Sequence, residues 1–179
     1  MDQKDNKKQL ISYNEPDKMF LGILRISMGW LFLWAFLDKV FGLGFATTSE
    51  RAYLNGGSPT NGYLQNVTNP DSPFSFIYRD ILPDFYQIVD IAFLAMLLIG
   101  GLALILGIFV RFGVLITTIF MLSIYTASIP LTNNPIIDEH VIYAMVLIFI
   151  ALSNAGRYIG LGYYWEDINV IKRFSKFLK

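Results

Sequence analysis

The chain contains no cysteine and only one histidine, His140. Without cysteine it can form no disulfide, no thiol redox couple and no thiolate-held iron–sulfur cluster. One histidine cannot supply both axial ligands of a bis-histidine haem. We therefore expect neither haem nor an iron–sulfur cluster, and any redox chemistry would need a diffusible lipid-soluble carrier or a cofactor on a partner subunit.

Charge is also scarce. Only 16% of the 179 residues are charged and 54% are hydrophobic, whereas soluble domains carry about 25% charged residues. The mean hydropathy is +0.48. The formal net charge is zero, and we expect no nucleic-acid partner. This composition is typical of a protein whose partner is a lipid bilayer.

The apolar residues are gathered into four long runs with almost no charge. Crossing a hydrocarbon core of about 30 Å takes roughly 20 apolar residues in a helix. Backbone polar groups must be satisfied within each segment in lipid, so the runs should be helical. The last two runs are slightly short but extend through uncharged neighbours. The runs are Met19–Leu37, Phe85–Val110, Phe112–Ile129 and Val141–Gly156.

These runs predict an all-α fold, an integral membrane four-helix bundle with a long external loop and a C-terminal interfacial helix. Ten of the fourteen basic residues lie before the first run, between the second and third, or after the fourth. Because basic residues are enriched in cytoplasmic segments, both termini should be cytoplasmic in the cell (plasma) membrane. The N-terminal stretch does not read as a cleavable signal.

The chain then divides into three parts. Residues 1–18 form a cytoplasmic N-terminal segment, 19–157 the four-span membrane domain, and 158–179 a cytoplasmic amphipathic tail. Within the domain, about 41–84 form the external loop, in which turns such as Asn61-Gly62 separate short helices near Ser49–Leu54 and Phe74–Ile81. Apolar residues at helical spacing and four basic residues predict that Trp165–Lys179 lies on the inner leaflet. A docking site for a cytoplasmic partner is the alternative.

Polar residues at membrane depth are costly there, so each is a candidate functional residue. Arg25 lies near the inner end of the first run and Asp90 near the outer end of the second. A direct ion pair between them is doubtful because their depths differ. Arg25 is a candidate for substrate binding, but it could equally snorkel to the interface or bond to groups near Ser153 and Asn154.

Asp90 lies among other polar groups at the external mouth of the predicted bundle. All four runs place such residues there, beneath the long loop. The candidate catalytic residues are Asp90, His140, Asp138 and Glu139. The candidate substrate-binding residues are Lys39, Asp38, Arg79, Arg25, Tyr125 and Tyr143. Asp138 could instead merely cap the fourth helix at its positive end.

A metal at Asp138, Glu139 and His140 is predicted to be absent. Adjacent residues on a helix point about 100° apart, so their three side chains should not converge. Lys39, Arg51 and Arg79 could instead bind an anion, and His140 could move protons.

Several stretches carry a family resemblance. They are Arg25–Thr47 (RISMGWLFLWAFLDKVFGLGFAT), the segment GGSPTNGYL from Gly56 to Leu64 followed by Pro73-Phe74, and NNPIIDEHVIYA from Asn133 to Ala144. Together they resemble the DoxX/DoxD membrane family over most of 20–165. The resemblance to the DoxD branch implies a four-helix, quinone-linked subunit of thiosulfate:quinone oxidoreductase, with quinone as diffusible acceptor. It also implies a smaller DoxA-like partner subunit; a homo-oligomer is the alternative.

The resemblance leads to one hypothesis and one alternative. In the first, electrons pass from thiosulfate or a related reduced sulfur compound to quinone. Lys39, His140 and Arg79 would hold the anion, Asp90 with Asp138 or Glu139 would manage protons, and Tyr125, Tyr143 and Trp34 would line a quinone cleft. In the alternative, the chain is a non-catalytic scaffold or assembly partner for a soluble redox enzyme, because members of the wider family differ in role.

Overall fold

The computed structural model describes residues 16–66 and 68–166, with only the backbone of Trp165 and Glu166, and over this range the chain is helical without strands. Residues 1–15 and most of the predicted interfacial segment Trp165–Lys179 lie outside the described range. The helices are α1 (Pro16–Phe41), α2 (Asn61–Asn66), α3 (Tyr86–Leu106), α4 (Val110–Ser128), α5 (Glu139–Leu152) and α6 (Gly162–Glu166).

Three helical segments are long and apolar enough to cross a membrane: Pro16–Phe41, Phe76–Leu106 and Val110–Ser128. They confirm the first three predicted runs. The fourth run is shorter than expected. Helix α5 has only 14 residues, which is about 21 Å at 1.5 Å per residue, and a separate 3-10 turn at Ala155–Arg157 follows it.

Asn154 marks the break after α5. It has a φ of 50°, in the left-handed region that a continuing helix does not use. The Asn154 side chain also accepts a hydrogen bond from Arg111 at 3.3 Å. The apolar run therefore continues past Leu152 in sequence, while the α-helix itself does not.

The long helices pack side by side. Helix α1 contacts α3, α3 contacts α4, α4 contacts α5, and α5 also contacts α1. Fully buried side chains from each of α1, α3 and α5 meet in the core, including Phe32, Leu97, Leu104, Leu147 and Ile150. Burial of such side chains is worth about 1.5–3 kcal/mol each when the alternative is water.

Glycine at position 29 allows α1 and α3 to approach closely. A Cβ added at Gly29 would lie 2.8 Å from the backbone nitrogen of Ile105 and 2.9 Å from the carbonyl of Gly101. A Cβ added at Gly22 would lie 2.8 Å from the carbonyl of Tyr158, after α5. Both glycines therefore lie at close backbone contacts.

The outward faces of these helices are apolar. Phe20 is 63% exposed on α1, Ile88 68% on α3 and Leu152 74% on α5. Large apolar side chains exposed along whole helices are unusual on soluble monomers and are expected where a surface contacts lipid. Together with the three long apolar helices, these faces indicate a membrane protein.

The 42–85 connection lies over one end of the helices, here called the loop end, where α1 ends, α3 begins, α4 ends and α5 begins. Its 3-10 turns at Ser49–Arg51 and Tyr53–Asn55 and its π-helical turn at Phe76–Ile81 occupy the two predicted short-helix positions. The predicted turn at Asn61-Gly62 is wrong, because these residues begin α2. Ser58 Oγ accepts the backbone N–H of Asn61 at 3.1 Å and so satisfies one of the free donors at the start of α2.

The connection is fastened chiefly to α4. Asn69 donates its backbone N–H to the carbonyl of Ala127 at 2.9 Å, and Ser72 Oγ donates to that of Thr126 at 2.7 Å. The Tyr78 hydroxyl lies 2.9 Å from the carbonyl of Ser123 and 2.7 Å from Thr126 Oγ1. These bonds hold the connection as a fixed cover over the loop end.

Candidate functional site

Asp90 is buried in the first turns of α3, with 2% of its surface exposed. Its Oδ1 accepts the backbone N–H of Thr60 at 3.0 Å and the Thr60 hydroxyl at 2.5 Å. A carboxylate buried at such a position needs donors of this kind. Asp90 therefore joins the start of α2 to α3, and no local sequence pattern indicates Thr60 as its partner.

The Asp38 carboxylate also accepts hydrogen bonds, in this case from backbone N–H groups. It is 2% exposed at the end of α1 and accepts the N–H groups of Phe45 at 3.2 Å and Ala46 at 3.0 Å. These bonds set the path of the chain as it leaves α1. Asp38 thus shapes the start of the connection.

Asp138 and His140 form a pair at the start of α5. Asp138 Oδ1 accepts the N–H groups of His140 and Val141, both at 3.1 Å. Asp138 is therefore the N-cap of α5, which was the alternative role predicted for it. Its Oδ2 lies 2.8 Å from His140 Nδ1. Because an ionised carboxylate only accepts, Nδ1 donates to it, and His140 Nε2 is left with the lone pair that could take a proton.

Glu139 completes a group of three whose ligand atoms lie within 4.8 Å of one another. The prediction that these side chains cannot converge is wrong. Asp138 has extended backbone, with φ −121° and ψ −178°, so the 100° spacing of a regular helix does not apply to it. One oxygen from each carboxylate and one nitrogen are the donor types that zinc accepts, although Glu139 is exposed and Asp138 is already bonded.

The pKa of Asp138 leads to a testable prediction. Burial alone would raise it, but hydrogen bonds from the His140 ring and the Val141 N–H hold the pKa of Asp138 below its ordinary value of 3.8. A carboxyl whose pKa is lower in the folded state stabilises the fold above its ordinary pKa, and this contribution is lost as pH falls through the lowered value. We expect Asp138→Ala to reduce the free energy of unfolding by about 0.5–2 kcal/mol at neutral pH.

Asp138→Asn is the matched variant, because asparagine is also a good N-cap but carries no charge. Denaturant unfolding at neutral pH and below the pKa of Asp138 distinguishes the two contributions. The asparagine variant should lose less stability than the alanine variant and show a weaker pH dependence than the unaltered chain. Equal stability of all three proteins at neutral pH would contradict the capping role.

His140, Asp138 and Glu139 line a cleft of about 750 Å³ at the loop end, here called the polar cleft. Its other walls come from the connection after α2 and from the segment between α4 and α5. Arg79, Ser128 and several side-chain amides lie in them, among these Gln65, Asn66, Asn69, Asn133 and Asn134. Arg79 is held there by a hydrogen bond of 3.0 Å from one guanidinium nitrogen to the carbonyl of Thr68. The polar cleft thus combines two groups that can bear positive charge, the two carboxylates of Asp138 and Glu139, and many neutral donors.

A second space of about 550 Å³, here called the apolar cavity, lies between α1, α3 and α4 under the connection. Its walls include Ile88, Ala92, Phe93 and Met96 of α3 and Phe120 and Ile124 of α4. Lys39 of α1 also lines it, with Nζ 6.0 Å from the centre of the Phe93 ring. The cavity therefore combines apolar walls with one ammonium group.

Tyr63 of α2 connects the two spaces, and the sequence interpretation missed it. Its side chain lines the apolar cavity, while Ser128, whose hydroxyl is near enough to lower the pKa of Tyr63, lines the polar cleft. Burial raises the pKa of Tyr63 more than the nearby Ser128 hydroxyl lowers it. Tyr63 thus keeps its proton at neutral pH and sits where the two spaces adjoin.

The other predicted residues lie elsewhere. Tyr125 donates to the carbonyl of Ile136 at 2.6 Å, and Tyr143 packs against the hydrophobic core. The Trp34 ring contacts those of Trp30 and Phe45 at centroid distances of 5.8 and 5.0 Å. None of these three aromatic residues is part of the wall of the apolar cavity.

Arg25 is at the opposite end of the molecule from the loop end. It is fully buried, and its guanidinium donates to the carbonyls of Leu104, Ile105, Tyr158 and Ile159. The partners predicted near Ser153 and Asn154 are therefore wrong, because the chain turns back after α5 and brings Tyr158 and Ile159 to the guanidinium instead. The residues predicted to form a single constellation at the external mouth therefore lie in the polar cleft, in the apolar cavity, and at two structural sites, the carboxylates of Asp38 and Asp90.

Comparison with protein-family models, with curated proteins and with solved structures finds no match to this chain.

Proposed function

We propose that this chain is the membrane subunit of an oxidoreductase that passes electrons from thiosulfate, or a related reduced sulfur compound, to membrane quinone. The observation that carries the proposal is the pairing of a polar cleft with an apolar cavity on the two sides of α2, joined at Tyr63. An anionic donor and a lipid-soluble acceptor need two such environments. The resemblance of Arg25–Thr47 and Asn133–Ala144 to the DoxD branch supports the same reaction.

In this proposal the chain crosses the plasma membrane four times as a four-helix bundle, with both ends in the cytoplasm. The distribution of basic residues supports this orientation. Helix α5, although short, is followed by the 3-10 turn Ala155–Arg157, and together they would complete the fourth crossing. The loop end and both spaces then face outward, where a water-soluble sulfur anion arrives.

The anion would occupy the polar cleft. Arg79 can present the guanidinium donors that are not bonded to Thr68, in the fork geometry that suits oxyanions. His140 and the side-chain amides of Asn133 and Asn134 line the same cleft. Lys39 was a candidate for this role, but it lines the apolar cavity, so we assign it to the quinone side.

Two thiosulfate ions give up two electrons as they join through a new sulfur–sulfur bond, and these electrons, with two protons, convert quinone to quinol. His140 Nε2, backed by Asp138, is placed to hold or release a proton beside the polar cleft. Tyr63 then lies between that cleft and the cavity. Because the chain has no cysteine and one histidine, electrons would move by direct reaction of the two substrates or through a cofactor on a second, DoxA-like subunit.

One observation favours a second candidate function, a non-catalytic scaffold for a soluble redox enzyme. Three ionisable residues, Asp90, Asp38 and Arg25, each form hydrogen bonds with groups in loops or at helix ends. Ionisable residues with such partners can stabilise the fold without taking part in any reaction. The scaffold predicts stable co-purification with a redox enzyme and no effect of the polar-cleft residues on quinone.

The test is thiosulfate-dependent reduction of a short-chain quinone by the purified chain in lipid nanodiscs, with and without proteins that co-purify with it. Losing a charged hydrogen bond costs about 1.5–3 kcal/mol, so Arg79→Ala should lower kcat/KM for thiosulfate about 10–100-fold. His140→Ala should lower kcat as well. Arg51→Ala is the matched control, since Arg51 is exposed on the same connection and lines neither space.

Activity that is equal in all four proteins would contradict the role of the polar cleft. No reduction under any of these conditions, together with recovery of a bound redox enzyme, would favour the scaffold.

A further inference from the structure

We infer that the apolar cavity is the quinone site, that the quinone enters it sideways from the bilayer past Ile88 and Ala92, and that Lys39 binds a quinone carbonyl. This inference deepens the proposed function and rests on it for the identity of the ligand.

The lining suits a flat, apolar molecule with few polar atoms. Ligand sites commonly have volumes of about 300–1,000 Å³ and mostly apolar walls with a few placed polar groups. The cavity, at about 550 Å³, lies within that range. Phe93 and Phe120 lie on facing helices with their ring centres 5.3 Å apart, and both form part of the wall. Aromatic rings of this kind pack well against a planar head group.

Two residues that line the cavity also lie on the surface that lipid would cover. Ile88 lines the cavity and is also 68% exposed. Ala92, one turn further along α3, lines it and is exposed too. Both belong to the segment Phe76–Leu106, which is apolar enough to span a membrane. Ala92 lies six residues into α3, about 9 Å along its axis. A lipid-soluble ligand could therefore enter without passing through water.

Lys39 provides the hydrogen-bond donor that would bind a carbonyl oxygen of the ligand. Its ammonium faces the Phe93 ring at 6.0 Å, and within the described part of the chain it has no carboxylate partner. A half-buried ammonium has hydrogen-bond donors that gain from an acceptor. The Tyr78 hydroxyl is already bonded to Ser123 and Thr126, so it competes little for the same acceptor.

Lys39 would also favour reduction. When two electrons enter a quinone, negative charge develops on its carbonyl oxygens, and each oxygen then takes one proton to give the quinol. A fixed positive charge beside one oxygen stabilises that developing charge. The electrons come from the sulfur donor of the proposed function, so the step needs no further reductant.

The inference is tested by measuring the equilibrium binding of a short-chain ubiquinone to the full chain in nanodiscs, without any sulfur donor. We expect Lys39→Met to weaken binding at least about tenfold, the loss expected for one charged hydrogen bond. Lys39→Arg should bind nearly as well as the unaltered chain, because it keeps the charge and the donors. This rescue distinguishes a contact with ligand from a general effect on folding.

The opening has its own pair of variants. Ala92→Trp should fill the entrance and slow or abolish binding. Ile91→Trp is the matched control, because Ile91 is the adjacent residue, is 59% exposed and does not line the cavity. Unfolding curves for all four variants show whether each is folded.

Several results would overturn the inference. They are unchanged binding in Lys39→Met, equal effects of the two tryptophan variants, and a tightly held phospholipid that depends on Lys39 and that quinone does not displace. Quinone binding that requires Lys39, without thiosulfate-dependent reduction, would instead contradict the proposed function and leave the quinone site standing. Reduction that is unaffected by both Lys39→Met and Ala92→Trp would contradict only the site.

Discussion

Replacing Arg25 by methionine should lower the free energy of unfolding by at least about 3 kcal/mol, because four backbone carbonyls lose their donor in a site from which water is excluded. Arg25 is 0% exposed. Its guanidinium lies 3.1 Å from the Ile105 carbonyl at the end of α3, and 3.1 and 2.9 Å from those of Tyr158 and Ile159 after α5. It therefore ties the end of α3 to the segment after α5.

The surroundings of Arg25 show why no other side chain replaces it well. An added Cβ at Gly160 would lie 2.7 Å from one guanidinium nitrogen, and one at Gly107 would lie 2.8 Å from the other. Glycine at both positions lets backbone approach the flat group closely. Lysine has a single ammonium and cannot reach both pairs of carbonyls, so Arg25→Lys should be intermediate in stability.

The measurement is equilibrium unfolding in detergent micelles, followed by circular dichroism. Phe20→Met is the control, because Phe20 lies on the same helix and is 63% exposed. A loss below about 1 kcal/mol in Arg25→Met, the size of an ordinary substitution, would contradict the structural role of Arg25 and return it to the list of substrate-binding candidates.

Asp90→Ala should release α2 from α3, since Thr60 would lose the acceptor for both its N–H and its hydroxyl. Two hydrogen bonds to a buried carboxylate contribute about 1.5–3 kcal/mol each. Because α2 separates the polar cleft from the apolar cavity, its release should also weaken both quinone binding and thiosulfate turnover. Thr60→Val removes only the hydroxyl bond, and its effect should be smaller.

Limited proteolysis between residues 56 and 68 measures this release directly. Cleavage there should be faster in Asp90→Ala than in Asp84→Ala, whose carboxylate is exposed in the same connection. In a double-mutant cycle, Thr60→Val should cost little stability once Asp90 is already alanine. Additive losses, or equal cleavage of the two aspartate variants, would contradict the link between α2 and α3.

Much of the fold was predictable from the sequence because long apolar runs have few alternatives to helix. Helices α1, α3 and α4 begin and end within four residues of the predicted runs. The end of α5 was not predictable from hydropathy, because the polar Asn154 interrupts the helix while the run continues through Ala155 and Gly156. The start of α2 was missed because Asn61-Gly62 is a common turn sequence, whereas here the anchored Thr60 precedes a helix.

The candidate site was harder to predict. The alternating direction of the helices was enough to predict that Asp90, Lys39 and His140 lie at one end of the molecule. It could not show that Asp90 and Asp38 are used by nearby backbone, or that Lys39 and His140 line different spaces. Those outcomes depend on the path of the 42–85 connection, which is set by contacts between residues far apart in sequence. Tyr63 carries no local signal of its position for the same reason.

In the proposed function, a sulfur anion bound at the loop end, outside the cell, reduces quinone held in the membrane. Quinone reduction in right-side-out and inverted membrane vesicles from cells producing the chain tests it most directly, with thiosulfate added only to the surrounding medium. We expect reduction in right-side-out vesicles, its loss in Arg79→Ala, and little reduction in inverted vesicles until they are permeabilised. Reduction that is equal in both orientations, or that does not depend on the chain, would contradict the claim.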